Sequence, residues 1–143
     1  MTTSSPEETA RLGERLAPYL RPGSVIALRG GLGAGKTCLT KGIARGLGIA
    51  EEVTSPTYTI ISEYPAPPLT LYHIDAYRLG GDDDFAALGG EEILYGKGIS
   101  VIEWSERLPR SLPAEAITID IEIADGENRI IHITGLDSTE GPG

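Results

Sequence analysis

A glycine-rich segment near the N-terminus carries the strongest chemical signal in the chain. Residues 30–37 read GGLGAGKT and fit the pattern GxxxxGK(S/T), the phosphate-binding P-loop. Glycines let successive backbone N–H groups turn inward around a phosphate, and the N-terminus of a following helix attracts the same anion. Lys36 would neutralise the β- and γ-phosphates, and the Thr37 hydroxyl would bind magnesium. The segment therefore predicts a site for a nucleotide with Mg²⁺, and we expect ATP or ADP because the chain lacks a guanine-reading NKxD-type motif. Its nucleotide-contacting residues would be Gly31, Leu32, Gly33, Ala34, Gly35, Lys36, Thr37 and Cys38.

Two acidic residues follow apolar, strand-like runs and would complete a magnesium site. Asp75 ends the run 71–74, and Glu103 ends the run 99–102 and precedes the only tryptophan, Trp104. A P-loop enzyme needs a carboxylate at the end of a neighbouring strand, which holds Mg²⁺ directly or through a water molecule. The residues alone do not rank the two acids. Either could instead be a solvated strand end or a helix cap.

Three other polar features near these motifs each allow a functional or a purely structural interpretation. Residues 53–58, VTSPTY, lie where P-loop hydrolases keep the segment that senses the γ-phosphate, but an ordinary turn around Pro56 fits equally well. His73 could carry protons, although a histidine in an apolar strand is more often a hydrogen-bonded core group. Arg78 could aid the transition state or form a structural ion pair.

The elements around the glycine-rich segment occur in the order that a P-loop requires. Apolar residues recur at helical spacing over residues 7–20, and the run 25–28 is typical of a strand. After the loop, apolar residues on one face predict a helix that stops at Gly46 or Gly48. Strand, loop and helix therefore follow one another directly.

The remaining pattern predicts more strands and one short helix. Residues 57–64 and 69–74 favour a hairpin-like pair, and the prolines of residues 65–68 should not sit inside a sheet. A helix around residues 85–88 and the strand over residues 99–102 follow. The chain then alternates isoleucine with polar residues over 117–123, turns, and continues over 130–133 as a second strand of a hairpin.

We therefore predict an α/β fold. Residues 1–136 would form a single-domain P-loop NTPase with a mixed central sheet, flanking helices and a C-terminal β-hairpin, and residues 137–143 a disordered tail.

Composition favours a small protein of the cytoplasm. The chain has 143 residues, of which 40% are apolar, and its single cysteine excludes an internal disulfide and a four-thiolate zinc site. It shows neither a signal peptide nor the roughly 20-residue apolar run of a membrane span. The net charge of −9 argues against strong direct binding to nucleic acid, which requires clustered lysine and arginine.

Four segments in this order resemble one known family. GGLGAGKT, VTSPTYTIISEY, YHIDAYRL and VIEWSERL are similar to motifs of the TsaE family, formerly called YjeE, bacterial ATPases needed to make threonylcarbamoyladenosine in tRNA. The resemblance extends over almost the whole chain. In two places the chain departs from the usual motifs: Gly31 stands where aspartate is more usual, and Ser105 where proline is.

The resemblance implies roles for individual residues. Lys36 and Thr37 would bind phosphate and magnesium, Glu103 would bind magnesium, and Asp75 would be essential for hydrolysis and act together with Glu103. Five further residues would lie near the nucleotide. Ser55 and Thr57 belong to the sensing segment, Trp104 would lie beside the nucleotide, and Thr9 and Arg129 would approach its adenosine end. The implied activity is slow, magnesium-dependent ATP hydrolysis that resets a complex with the proteins TsaD and TsaB.

Three other classes of P-loop protein are alternatives to this interpretation. A small-molecule kinase closes a lid with several arginines over the phosphates, and no arginine cluster of that kind occurs here. A guanine-specific GTPase would be expected to carry an NKxD-type motif, and the only asparagine, Asn128, is followed by arginine. A nucleotide-gated binding module, in which hydrolysis is incidental, stays open because no compelling arginine finger stands in the chain.

Overall fold

The computed structural model describes residues 1–31, 34–53 and 60–136 of the chain. Within these ranges, seven strands form one mixed sheet. The strands are β1 Thr2–Thr3, β2 Val25–Arg29, β3 Ile61–Ala66, β4 Leu69–Asp75, β5 Ile99–Glu103, β6 Ile117–Ile123 and β7 Arg129–Thr134. Their order across the sheet is β1-β7-β6-β2-β5-β4-β3. The four central strands are parallel to one another, and the two edges are antiparallel.

Four α-helices accompany the sheet in the described residues. They are α1 Pro6–Leu16, α2 Lys36–Gly46, α3 Asp82–Ala87 and α4 Gly90–Leu94. Ser5 caps α1, because its hydroxyl accepts a hydrogen bond from the Glu8 N–H at 3.1 Å. Helix α2 begins directly after Gly35, whose φ of 107° is accessible to glycine at little cost.

The hydrophobic core lies on both faces of the sheet. Alternate residues of a strand point to opposite faces, so Ile26 and Leu28 of β2 pack with residues of α1 and α2, whereas Val25 packs with the cluster around Phe85 of α3. The predicted α/β class, the mixed sheet flanked by helices and the C-terminal hairpin of β6 and β7 are confirmed.

Several local predictions need correction. Pro65 lies inside β3, contrary to the prediction. Among the described strands, β3 is an edge strand that pairs only with β4, so it can tolerate a missing N–H. The first predicted helix is divided: α1 ends at Leu16, and a short 3-10 helix, Ala17–Tyr19, follows. Strand β1 and helix α4 were not predicted, and α3 begins before the predicted helix around residues 85–88. The predicted tail, residues 137–143, lies outside the described residues.

None of the helices in the described ranges is long and apolar enough to cross a membrane.

Candidate functional site

The candidate site lies where three parallel strands end. β2 leads into the glycine-rich loop (residues 30–37), β4 ends at Asp75 and β5 ends at Glu103. Leu28 of β2 pairs with Glu103, and Glu103 pairs with Asp75 on its other side. Because parallel strands end at the same edge of a sheet, the loop and both carboxylates are brought together although they are far apart in sequence.

Lys36 occupies the first turn of α2 and is buried beneath this edge. Its Nζ donates a hydrogen bond to the Gly30 carbonyl at 2.7 Å and lies 3.5 Å from the centroid of the Trp104 ring. Burial lowers the pKa of Lys36 below its usual value, while Glu103, Glu106 and Asp75 act in the opposite direction. Burial lowers the pKa more than the nearby acids raise it, so the ammonium group would gain from a further anion beside it.

Glu103 links α2 to the interior of the sheet. Its Oε2 lies 3.4 Å from the Thr37 Oγ1 and 2.5 Å from the Nε2 of His73. The Glu103 residue is only 6% exposed, and His73 is fully buried. The expectation that His73 is a hydrogen-bonded core group is confirmed, and the structure adds that its partner is a residue of the candidate site.

Asp75 is less enclosed than Glu103. It is partly exposed, and its Oδ1 accepts a hydrogen bond from the Tyr77 N–H at 2.9 Å, which fixes the turn after β4. By strand alternation and register, the Asp75 and Glu103 side chains lie on the same face of the sheet. Asp75 is therefore placed to act beside Glu103 while still reaching solvent.

Trp104 closes one side of the site through an uncommon backbone conformation. Its φ of 60° and ψ of 40° are left-handed, a region that non-glycine residues enter at a cost of about 1–3 kcal/mol. Its ring lies 4.9 Å from the Tyr77 ring, and the Arg107 guanidinium lies 5.1 Å from the Tyr77 ring centroid. The Trp104 ring therefore lies between the loop lysine and Tyr77. Its place near the nucleotide stays a prediction.

A small cleft lies on the other side of the loop. Its volume is about 80 Å³, and its lining includes Thr9, Ala34, Gly35, Cys38 and Arg129. The Thr9 hydroxyl lies 2.7 Å from that of Thr3, and the Arg129 Nε donates to the Ala34 carbonyl at 3.1 Å. Thr9 and Arg129 thus line the same cleft although 120 positions separate them in the sequence. Their contact with adenosine stays a prediction.

The chemistry of these donors suits Mg²⁺ held jointly with phosphates. Thr37, Glu103 and Asp75 offer oxygen ligands, which Mg²⁺ prefers. The described residues contain no group of three or more histidine, cysteine or acidic side chains able to hold a metal ion by themselves. Mg²⁺ typically binds to one or two carboxylates together with substrate phosphates and water, so this donor set fits it.

Some predicted residues cannot be located in the site. Leu32, Gly33, Ser55 and Thr57 lie outside the described residues. Arg78 is exposed, and no ion pair involves it within the described ranges.

Sequence reasoning missed three features of the site. These are the His73 contact with Glu103, the Gly30 carbonyl as the anchor of Lys36, and the Tyr77 ring against Trp104. Only the first had a signal, since His73 and Asp75 are two positions apart and so share one face of a strand.

Comparison with known proteins places the chain among relatives of similar length. It is 49% identical over 127 residues to the tRNA threonylcarbamoyladenosine biosynthesis protein TsaE of Treponema pallidum, covering 88% of this chain and 93% of that protein. It is 43% identical over 134 residues to the protein of the same name from Bacillus subtilis, covering 94% and 84%. The crystal structure of Bacillus subtilis YdiB superposes with a TM-score of 0.77 at 38% identity, covering 98% of this chain and 86% of YdiB.

A family model agrees with these relatives. The model described as Threonylcarbamoyl adenosine biosynthesis protein TsaE matches residues 3–131, which include the glycine-rich loop, both carboxylates and the cleft around Thr9 and Arg129. The chain therefore belongs to the TsaE family of threonylcarbamoyladenosine biosynthesis proteins.

Proposed function

We propose that this protein is a magnesium-dependent ATP hydrolase that acts in the synthesis of threonylcarbamoyladenosine in tRNA. The observation that carries the proposal is the convergence of Lys36, Thr37 and Glu103 at one end of the sheet, with Asp75 directly beside Glu103. The relatives named for this biosynthesis support the pathway. The site geometry supports the phosphate chemistry.

Each side chain has a distinct part in the proposed reaction. Lys36, now bonded to the Gly30 carbonyl, would neutralise the β- and γ-phosphates, and Thr37 and Glu103 would hold the magnesium ion. Bound Mg²⁺ would spread the charge that develops on the transferring phosphoryl group. Asp75, which reaches solvent, orients the attacking water or accepts its proton. Trp104 shields Lys36 from bulk solvent and thereby strengthens its electrostatic effect.

Hydrolysis by the isolated chain would be slow and would serve partner proteins. A P-loop hydrolase needs a positive group against the γ-phosphate in the transition state, and a partner can supply it in trans. We propose that the proteins TsaD and TsaB form the complex that ATP hydrolysis resets. They would also supply the contacts with tRNA, because this chain carries a net charge of −9.

Substitutions at Lys36 and Asp75 test the chemistry. Lys36→Ala should abolish nucleotide binding or turnover, because the buried cation is lost.

Asp75→Ala should retain most ADP affinity and lower turnover about 10²–10⁴-fold, the usual contribution of a positioned acid or base. Glu103→Ala should likewise spare most ADP binding while removing hydrolysis. ADP affinity is measured by calorimetry, and turnover by release of phosphate.

A lysine on the same helix provides the control. Lys41→Ala removes a positive charge from the partly exposed side of α2 and should change neither quantity. Unchanged turnover in Asp75→Ala would refute the role assigned to that carboxylate.

The pathway and the partners need a separate experiment. ATP turnover and the yield of threonylcarbamoyladenosine are measured with and without purified TsaD and TsaB. We expect faster turnover with the partners and a product yield that depends on this chain. If neither changes, the partner proposal is wrong.

Phosphate found on an added small molecule instead of in solution would favour a kinase. Full product yield with a hydrolysis-deficient variant would favour a nucleotide-gated binding module.

A further inference from the structure

His73, the fully buried histidine of β4, has no part in the proposed reaction. His73 lies between Leu71, in the core cluster beneath α1 and α2, and Asp75, so strand alternation turns all three to the face that α2 covers. Its register partner is Val101, and Glu103 follows two positions later on that same face. The sheet therefore presents the imidazole to Glu103 from the interior side.

The contact is short and has a defined direction. Nε2 of His73 lies 2.5 Å from Oε2 of Glu103, the same oxygen that lies 3.4 Å from the Thr37 hydroxyl. An ionised carboxylate can only accept hydrogen bonds, so Nε2 is the donor when Glu103 carries its charge. The imidazole thus holds the carboxylate oxygen that is turned towards the first turn of α2.

Core packing alone gives no reason for an imidazole at this position. The Nδ1 atom of His73 is buried and has no hydrogen-bond partner among the described residues. A buried polar atom without a partner costs free energy, whereas a leucine of similar size would fill the same space without that cost. What the imidazole provides and leucine would not is the hydrogen bond to Glu103.

Glu103 needs such a restraint because Lys36 attracts it. The two side chains carry opposite charges and interact electrostatically within the site. A glutamate has several rotatable bonds, so without a partner on the interior side its carboxylate could turn to the ammonium group of Lys36. That pairing would withdraw one group needed for the metal and another needed for the phosphates.

We infer that His73 is the positioning residue that holds the Glu103 carboxylate towards Thr37 and so prepares the magnesium site. The inference rests on the proposed nucleotide and magnesium site, and it names the buried residue that orients one of the proposed magnesium ligands. A partner of this kind typically changes metal affinity about 10- to 100-fold when it is removed. His73 itself touches neither nucleotide nor metal.

Three replacements of His73 separate the hydrogen bond from the bulk of the ring. In H73Q the side-chain amide nitrogen stands as many bonds from Cα as Nε2 does, so it can still donate to Glu103. In H73N the amide nitrogen corresponds to Nδ1 and falls short. H73L fills the space and donates nothing. Y72F, on the neighbouring position and the opposite face of β4, is the matched control.

The measurement is the affinity for ADP, determined by calorimetry once with Mg²⁺ and once with EDTA. In EDTA all four variants should bind ADP as the wild type does, which also shows that the loop is intact. The gain in ADP affinity on adding Mg²⁺ should fall about 10- to 100-fold in H73L and H73N. It should stay close to the wild-type gain in H73Q and Y72F.

The outcomes distinguish this inference from the proposed function. If the wild type binds no ADP, or Mg²⁺ does not tighten its binding, the proposed site is wrong and the role of His73 falls with it. If Mg²⁺ tightens binding in the wild type and equally in H73L, the site stands and the positioning role is refuted. Equal losses in H73Q and H73L would also refute it, because the hydrogen bond would then not be the cause.

Discussion

At Lys36, burial lowers the pKa of the ammonium group while the nearby acids raise it. The ammonium group is held by one carbonyl oxygen and the face of Trp104, and burial lowers its pKa. Neither neighbour is an anion, so a phosphate offers the group a better partner than either. Trp104 reaches this position through a left-handed backbone. Lys36 therefore has a hydrogen bond and a ring contact but no ion pair within the described residues.

Ser105 makes a buried side-chain contact next to the candidate site. The residue is fully buried, and its hydroxyl donates to the Leu28 carbonyl at 3.1 Å. The usual proline has no hydroxyl and could not make this bond, which ties the segment after Glu103 to the end of β2. The departure from the family motif therefore has a structural consequence next to the site.

We expect Ser105→Ala to lower the free energy of unfolding by about 1 kcal/mol, the usual net value of one hydrogen bond. Ser100→Ala is the matched control, since the Ser100 hydroxyl is buried without a partner among the described residues. Its removal should be neutral or stabilising. Urea unfolding measures both, and equal losses would show that the Leu28 bond contributes nothing.

The close packing of α1 on α2 places the small cleft beside the glycine-rich loop. A side chain at Gly42 of α2 would place its Cβ 1.8 Å from the Ala10 carbonyl, and one at Gly13 of α1 would lie 2.4 Å from the Leu39 carbonyl. The two helix backbones are therefore in direct contact. This close packing brings Thr9 of α1 next to Gly35 at the start of α2.

We expect Gly42→Ala to destabilise the protein by about 1–3 kcal/mol or more, because the two helices must move apart to admit the methyl group. ADP affinity should fall as well, since Thr9 moves away from the loop. Urea unfolding and calorimetry measure the two effects. Lys41→Ala, the adjacent position on α2, should stay within about 0.5 kcal/mol of the wild type. A Gly42→Ala protein of wild-type stability would show that the helices are not packed in this way.

Over the whole molecule, charge and sheet order set what the protein can do alone. The net charge of −9 repels the phosphates of RNA, while Lys36 places one buried cation at the edge of the sheet where the parallel strands end. Under the proposed function, that edge would take a small nucleotide with magnesium and not a long polyanion. The proposed partner proteins would then supply the contacts with tRNA.

The isolated chain should accordingly show no measurable affinity for tRNA at physiological salt. Fluorescence anisotropy of labelled tRNA measures this, with and without the partner proteins. Binding by the chain alone that weakens steeply with added salt would contradict the prediction, because such a slope reports direct phosphate contacts.

The sequence by itself determined the parts of this protein whose requirements are local. The glycine-rich loop depends on glycines, a lysine and a hydroxyl at short spacing, and the flanking strand and helix depend on apolar period. These features predicted the α/β class correctly, and Asp75 and Glu103 were recognisable because each ends a strand-like run. Helix ends and the edge position of β3 were less accessible, since they depend on neighbours far away in the chain.

Only the tertiary structure decided which of these residues meet. Strand order places β5 between β2 and β4, so Glu103 faces both the loop helix and Asp75, and no local pattern encodes that order. The same order brings His73 onto Glu103 and, through the packing of α1 on α2, Thr9 near Arg129. The physical reason is that strand pairing and helix packing are long-range choices made by the whole hydrophobic core, while motif chemistry is written within a few residues.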